Sequence, residues 1–185
     1  MRYYIIAGEA SGDLHGSNLM HGIYGKDPHA VIRFWGGDLM NGVFAEHRNC
    51  IPSIEKAEGD AAGNLPATVP FGTRTGGLVR HYKDGAVMGF TEVLAKAGKL
   101  LGNLSRCKKD ILGFAPDCVI LIDYPGFNFK IAEFAHKRGL KVFYYIAPKV
   151  WASREGRIRK LKKYVDRLYI VFPFEIPYFE RKGVP

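Results

Sequence analysis

The stretch PDCVILIDYPGFN, residues 116–128, decides the fold. It holds an unbroken apolar run from Cys118 to Ile122 that ends on a carboxylate, Asp123. A short continuous apolar run has no polar face to show to water, so it predicts a strand buried on both sides, as at the centre of a parallel sheet. The turn Tyr124-Pro125-Gly126 stops the strand. A helix is expected from about Phe129 to Arg138, with Gly139 as its C-terminal cap.

The same alternation extends in both directions. Upstream, RYYIIA (2–7) and AVIRFWGG (30–37) read as strands around a helix from Asp13 to Tyr24. Downstream, KVFYYIA (141–147) and RLYIVF (167–172) read as strands around a basic helix from Arg154 to Tyr164. The chain finishes in a short helix and a turn, EIPYFERKGVP. Strands alternating with helices imply an α/β fold, a Rossmann-like parallel sheet with helices on both faces and right-handed crossovers. Residues 51–77 are rich in Pro and Gly and poor in large aliphatics, so 45–77 reads as a long insertion or mobile loop within one domain spanning 1–185. From Phe90 a helical stripe runs through Val93, Leu94, Ala97, Leu100, Leu101 and Leu104. It fits a core-facing helix, or a surface helix that dips into a membrane interface.

Composition bounds the function. With 47% hydrophobic residues in 185, the chain can build a core and is not globally disordered. The three cysteines, Cys50, Cys107 and Cys118, are widely spaced. They form neither a disulfide framework nor a zinc pattern, and a reducing, cytoplasmic compartment is expected. No apolar run is long enough for a signal peptide or a membrane span. The net charge of +9 calls for an anionic partner or a solvated basic face. Much of it lies in 149–167, where Lys and Arg outnumber acids to give +6. A nucleic-acid partner lacks any recognised motif and is not expected.

In parallel sheets of this kind ligands bind at the carboxyl ends of the strands. AGEASGDLHG (7–16) sits at the first such end. Its glycines, Gly8, Gly12 and Gly16, are spaced four apart, unlike a dinucleotide turn, and Glu9 and Asp13 would repel a phosphate. Carboxylates accept hydrogen bonds from sugar hydroxyls, so Glu9, Ser11, Gly12 and Asp13 are candidates for polyol recognition. Ser11 or Asp13 could instead cap the following helix. Asp123 ends a buried strand, where poor solvation raises a carboxyl pKa and suits a general base. It could equally cap the next turn. Phe127 and Asn128 follow it. The histidines show no metal-ligand spacing, so neither a metal nor a cofactor is expected.

Six segments in fixed order, AGEASGDLHG, GGDLM, VMGFTEVL, ILIDYPGFN, YYIAPKVWAS and VDRLYIVFPFE, resemble the N-terminal half of the lipid-A-disaccharide synthase family. The resemblance implies the acceptor-side half of a GT-B glycosyltransferase, an inverting, metal-independent enzyme peripheral to the inner membrane. Its substrates would be UDP-2,3-diacylglucosamine and 2,3-diacylglucosamine 1-phosphate. It implies Asp123 as general base. It places Glu9, Ser11, Gly12, Asp13, Met88, Glu92, Phe127 and Asn128 at the substrate. It also sets Phe90, Val93, Leu94, Ala97, Leu100 and Leu101 against acyl chains or membrane. The sequence departs from the family pattern in length, the donor-binding half being absent, in Ser153 where an aromatic is expected, and in 45–77. Little or no transfer by this chain alone is therefore expected. A membrane-binding module without catalysis is the alternative.

Overall fold

A computed structural model describes residues 1–50, 74–85, 93–150 and 155–184. The elements run β1 (Arg2–Ala7), α1 (Ala10–Lys26), β2 (Val31–Gly36), α2 (Asp38–Cys50), β3 (Gly77–His81), α3 (Val93–Phe114), β4 (Cys118–Ile122), α4 (Pro125–Lys137), β5 (Lys141–Tyr145), α5 (Ile158–Tyr164), β6 (Arg167–Tyr169) and α6 (Glu175–Arg181). The strands form one parallel sheet in the order β3-β2-β1-β4-β5-β6. The expected α/β architecture is present, with a strand buried on both faces at β4.

Side-chain alternation along the central strands builds two cores. Tyr4, Ile6, Val119 and Leu121 point to the face covered by α3, α4 and α5. Ile5, Ala7, Ile120 and Ile122 point to the face covered by α1 and α2. Because chain order reverses between β1 and β4, the connections leaving these neighbouring strands diverge to opposite faces. They leave a crevice at their carboxyl ends.

Several boundaries differ from the sequence reading. Helix α1 starts at Ala10, three residues before Asp13, and α4 starts at Pro125. Residues 38–50 form α2, so 45–50 belong to a helix and not to an insertion; residues 51–73 lie outside the described residues. Gly77–His81 is an edge strand that a five-residue run bracketed by glycine and charge did not announce. Helix α3 reaches Phe114, well beyond Leu104, with Leu104, Cys107, Ile111 and Phe114 turned to the core. Gly139 closes α4 as expected, at φ +73.

One buried polar network ties α3 to the sheet. Arg33 of β2 donates to both oxygens of Asp110, Nη2 to Oδ1 at 2.6 Å and Nε to Oδ2 at 2.8 Å, with both side chains fully buried. The Tyr4 hydroxyl donates to Asp110 Oδ2 at 2.8 Å and accepts from the Trp35 indole at 2.9 Å. Such a pair holds geometry more than it adds stability, because desolvation offsets much of the attraction. Removing one partner strands a charge. Asp110→Ala is therefore expected to cost about 3–5 kcal/mol in urea unfolding, while Arg33→Met with Asp110→Leu recovers most of it. Equal losses in the single and double variants would contradict this.

Candidate functional site

The carboxyl ends of β1 and β4 lie side by side, with Ala7 opposite Ile122. The chain leaves β1 through Gly8 and Glu9 and leaves β4 through Asp123 and Tyr124. The Tyr124 ring lies so close over Gly8 that no Cβ would fit there. Ser11 donates to Glu9 Oε1 at 3.2 Å, and both are exposed on the rim.

Asp123 and Tyr124 both adopt left-handed backbone, at φ 42 and φ 44. This is costly for non-glycine residues and persists only where the surroundings hold it. Pro125 bars Tyr124 from the right-handed helical region. The buried Asn128 donates Nδ2 to the carbonyls of Ile122, at 3.2 Å, and Asp123, at 2.8 Å. The Tyr144 hydroxyl donates to the same Asp123 carbonyl at 2.6 Å. With its carbonyl thus fixed, Asp123 turns a half-buried carboxyl toward the crevice.

Burial pushes the Asp123 pKa above the ordinary carboxylate range. The Glu9 charge and a hydrogen bond with the Glu9 carboxyl push it further, against the pull of Lys149 and the Tyr124 amide. Tyr144, facing the same turn, is itself buried, and its hydroxyl pKa is raised.

Asp13 has another task. It is 3% exposed, and it accepts the amides of Gly37, at 2.7 Å, Leu39, at 3.1 Å, and Met40, at 3.1 Å. Asp13 is thus a cap, but for α2 and not for its own helix. α1 has no side-chain cap bond at Glu9. Gly12 is buried against Ala7. Phe127 is buried, its ring 5.6 Å from those of Trp35 and Tyr124. The structure brings Glu9, Ser11 and Asp123 together at the open edge. It sets Gly12, Asp13, Phe127 and Asn128 beneath them as builders of the turns.

Met88, Phe90 and Glu92 lie outside the described residues. Val93, Leu94 and Ala97 belong to the first turns of α3. Leu100 packs against the core, whereas Leu101 is 61% exposed. Helix α5 buries Ile158, Leu161 and Tyr164 and exposes Arg159, Lys160, Lys162 and Lys163, a solvated basic face. Cys107 and Cys118 are free and buried, and burial pushes both thiols up, Cys118 to about 12. Among the described residues no group of three or more His, Cys, Asp or Glu is placed to hold a metal ion. Sequence reasoning missed Trp35, Arg80 and Tyr82, which surround the edge; nothing in their spacing marks them.

An open parallel sheet whose strand order reverses at the site defines a Rossmann-like α/β domain. Solved structures share the fold. The chain aligns over its full length with 44% of a UDP-GlcNAc 2-epimerase from Neisseria meningitidis (TM-score 0.55, 9% identity). It aligns likewise with 43% of the epimerase from Methanocaldococcus jannaschii (TM-score 0.52, 14% identity). The family model described as Lipid-A-disaccharide synthetase matches residues 77–185, and the chain belongs to this family. It is 39% identical over 184 residues to the lipid-A-disaccharide synthase of Geobacter metallireducens, and 35% identical to that of Trichlorobacter lovleyi. Over 180 residues it is 40% identical to that of Syntrophus aciditrophicus. It spans about 40% of the length of these relatives.

Two outcomes follow from this division of labour. Asp13→Asn puts an amide nitrogen where a carboxylate met backbone N–H groups, and should lower stability by about 1–3 kcal/mol in urea unfolding. Glu9→Gln should leave stability nearly unchanged; equal losses would contradict the assignment. The raised Asp123 pKa means that the folded state binds this proton more tightly than the unfolded chain does. Its stabilising contribution is full below the ordinary carboxylate range and is lost as pH rises through the raised value. Asn tolerates the left-handed backbone. Asp123→Asn should therefore raise Tm at pH 7, with the gain vanishing at low pH; a gain independent of pH would contradict this.

Proposed function

We propose that this chain is the acceptor-side half of a glycosyltransferase of lipid A biosynthesis. The reaction joins UDP-2,3-diacylglucosamine to 2,3-diacylglucosamine 1-phosphate and releases UDP. The observation that carries the reading is the half-buried Asp123 carboxyl at the switch point of the sheet, with its pKa raised by burial and by the Glu9 charge.

In this reading Asp123 acts as general base. The acceptor 6-hydroxyl gives its proton to the Asp123 carboxylate as its oxygen bonds to the donor's anomeric carbon. The bond from that carbon to the UDP oxygen breaks, and UDP leaves with the electron pair. Attack opposite the leaving group inverts the anomeric centre. The Glu9 charge raises the basicity of Asp123, and Glu9 and Ser11 offer hydrogen bonds to the sugar hydroxyls. The nucleotide contacts would come from the remaining length seen in the relatives. Exposed Val171, Phe172, Phe174 and Ile176, beside the same edge, give that part a surface to pack on. Alone, the 185-residue chain should show little or no turnover.

Acyl substrates fit a protein that works at the inner-membrane surface. Leu101 on α3 and the basic faces around it support a peripheral contact. No helix among the described residues is long and apolar enough to cross a membrane.

Asp123→Asn at the matching position of a full-length relative tests the base. Turnover should fall at least about 100-fold, with loss of the acidic limb of the pH profile. Near-normal turnover with an unchanged profile would overturn the assignment. Flotation with anionic vesicles tests the surface: the chain should float, and Phe90→Glu with Leu101→Glu should abolish this. Equal recovery of the variant would exclude these two residues as the contact.

A further inference from the structure

A cavity opens on the β3 side of Asp123. Trp35, Arg80, Tyr82 and Tyr124 wall it, with Asn103 of α3 and Gly8 beside them. A fault in strand pairing puts Arg80 there. Phe34 lies opposite Leu78, but Trp35 lies opposite Arg80, so Val79 is an extra residue in β3. A bulge of this kind breaks the alternation and re-aims the next side chain. The Arg80 guanidinium carbon comes to rest 5.7 Å from the centre of the Trp35 ring. The Trp35 indole is anchored below through the Tyr4 hydroxyl, so the platform under the cation is fixed.

Among the described residues Arg80 makes one hydrogen bond, from Nη2 to the Asp84 carbonyl at 3.0 Å. No carboxylate among them pairs with it. Asp38, on the same rim, is engaged by His81 at 3.3 Å and Lys83 at 3.0 Å. A guanidinium that meets no carboxylate among the described residues and lies against an indole is suited to two oxygens of a phosphate. The cavity, about 30 Å³, admits phosphate oxygens and no pyranose, so a sugar attached to the phosphate would lie outside it, over the exposed Tyr124 ring.

We propose that the Arg80 cavity binds the phosphate of the sugar-phosphate acceptor and so directs the far end of the sugar toward Asp123. The assignment rests on the acceptor-side reading above. Tyr124 is the shared wall: it lines the cavity and is the residue next to Asp123. A pyranose phosphate seated with its phosphate on Arg80 therefore has a short path across Tyr124 to the base. Lys149, the other cation at this edge, lies on the β5 side, with its ammonium 6.0 Å from the Phe172 ring centre and outside the cavity.

Phosphate could reach Arg80 from the acceptor or from a nucleotide, and the test separates the two. The 185-residue chain is titrated with glucosamine 1-phosphate, glucosamine and UDP while amide shifts are followed by NMR. Glucosamine 1-phosphate should shift Gly8, Tyr82 and Tyr124, and should bind at least about fivefold more tightly than glucosamine, as a partly exposed charge-assisted contact allows. Arg80→Gln should remove that advantage, Arg80→Lys should keep part of it, and Lys149→Gln should leave it intact. Equal affinity for glucosamine and its phosphate, an advantage that survives Arg80→Gln, or one lost in Lys149→Gln would overturn the proposal. Tighter binding of UDP at the same amides would overturn the acceptor assignment in favour of a nucleotide phosphate. The titration reads binding and no turnover, so its failure is separable from failure of Asp123 as base.

Discussion

The three hydrogen bonds that Asp13 accepts are the constraint on which the site depends. Where parallel strands end side by side, the chain turns into helices and leaves backbone groups without sheet partners. At the β2–α2 turn the amides of Gly37, Leu39 and Met40 are satisfied by one carboxylate reaching across from α1. Gly37 has no room for a side chain between Asp13 and Tyr82. At the β4–α4 turn Asn128 and Tyr144 do the corresponding work for the Asp123 carbonyl. The edge is thereby closed from beneath. Glu9 and Asp123 are released from structural duty and face the crevice.

Electrostatics then follow from placement. Two carboxyls meet where β1 and β4 end, with burial on one side and solvent on the other. Lys149 flanks them toward β5, and Arg80 lies beyond Tyr124 toward β3. Farther down, the Arg33–Asp110 pair and its Tyr4 and Trp35 partners fix α3 and the indole under Arg80. The chain of contacts from the buried ion pair to the cavity wall is continuous, so the site sits on rigid support.

Much of this was legible in the residues. Cys118–Ile122 reads as a central strand because five apolar residues in a row leave no solvent face. Asp123 was marked by its position at the end of that strand. The carboxylates of AGEASGDLHG were marked too, but their division was not. Asp13 as a cap for α2 depends on a partner 24 residues away, and local spacing cannot show that. Helix α2 was not read from the residues; it packs on α1 through Met40 and Val43, contacts that local spacing does not show. Arg80 was silent for a similar reason. Its direction is set by a one-residue bulge between β2 and β3, and a bulge leaves no pattern in a five-residue strand.

The coupling of Glu9 with Asp123 is the central claim, and carboxyl carbon chemical shifts measure it directly. In the 185-residue chain the Asp123 carboxyl should titrate above the ordinary carboxylate range. In Glu9→Gln it should titrate lower, because a neighbouring charge has gone while burial remains. An Asp123 carboxyl that titrates in the ordinary range, or one indifferent to Glu9→Gln, would contradict the account.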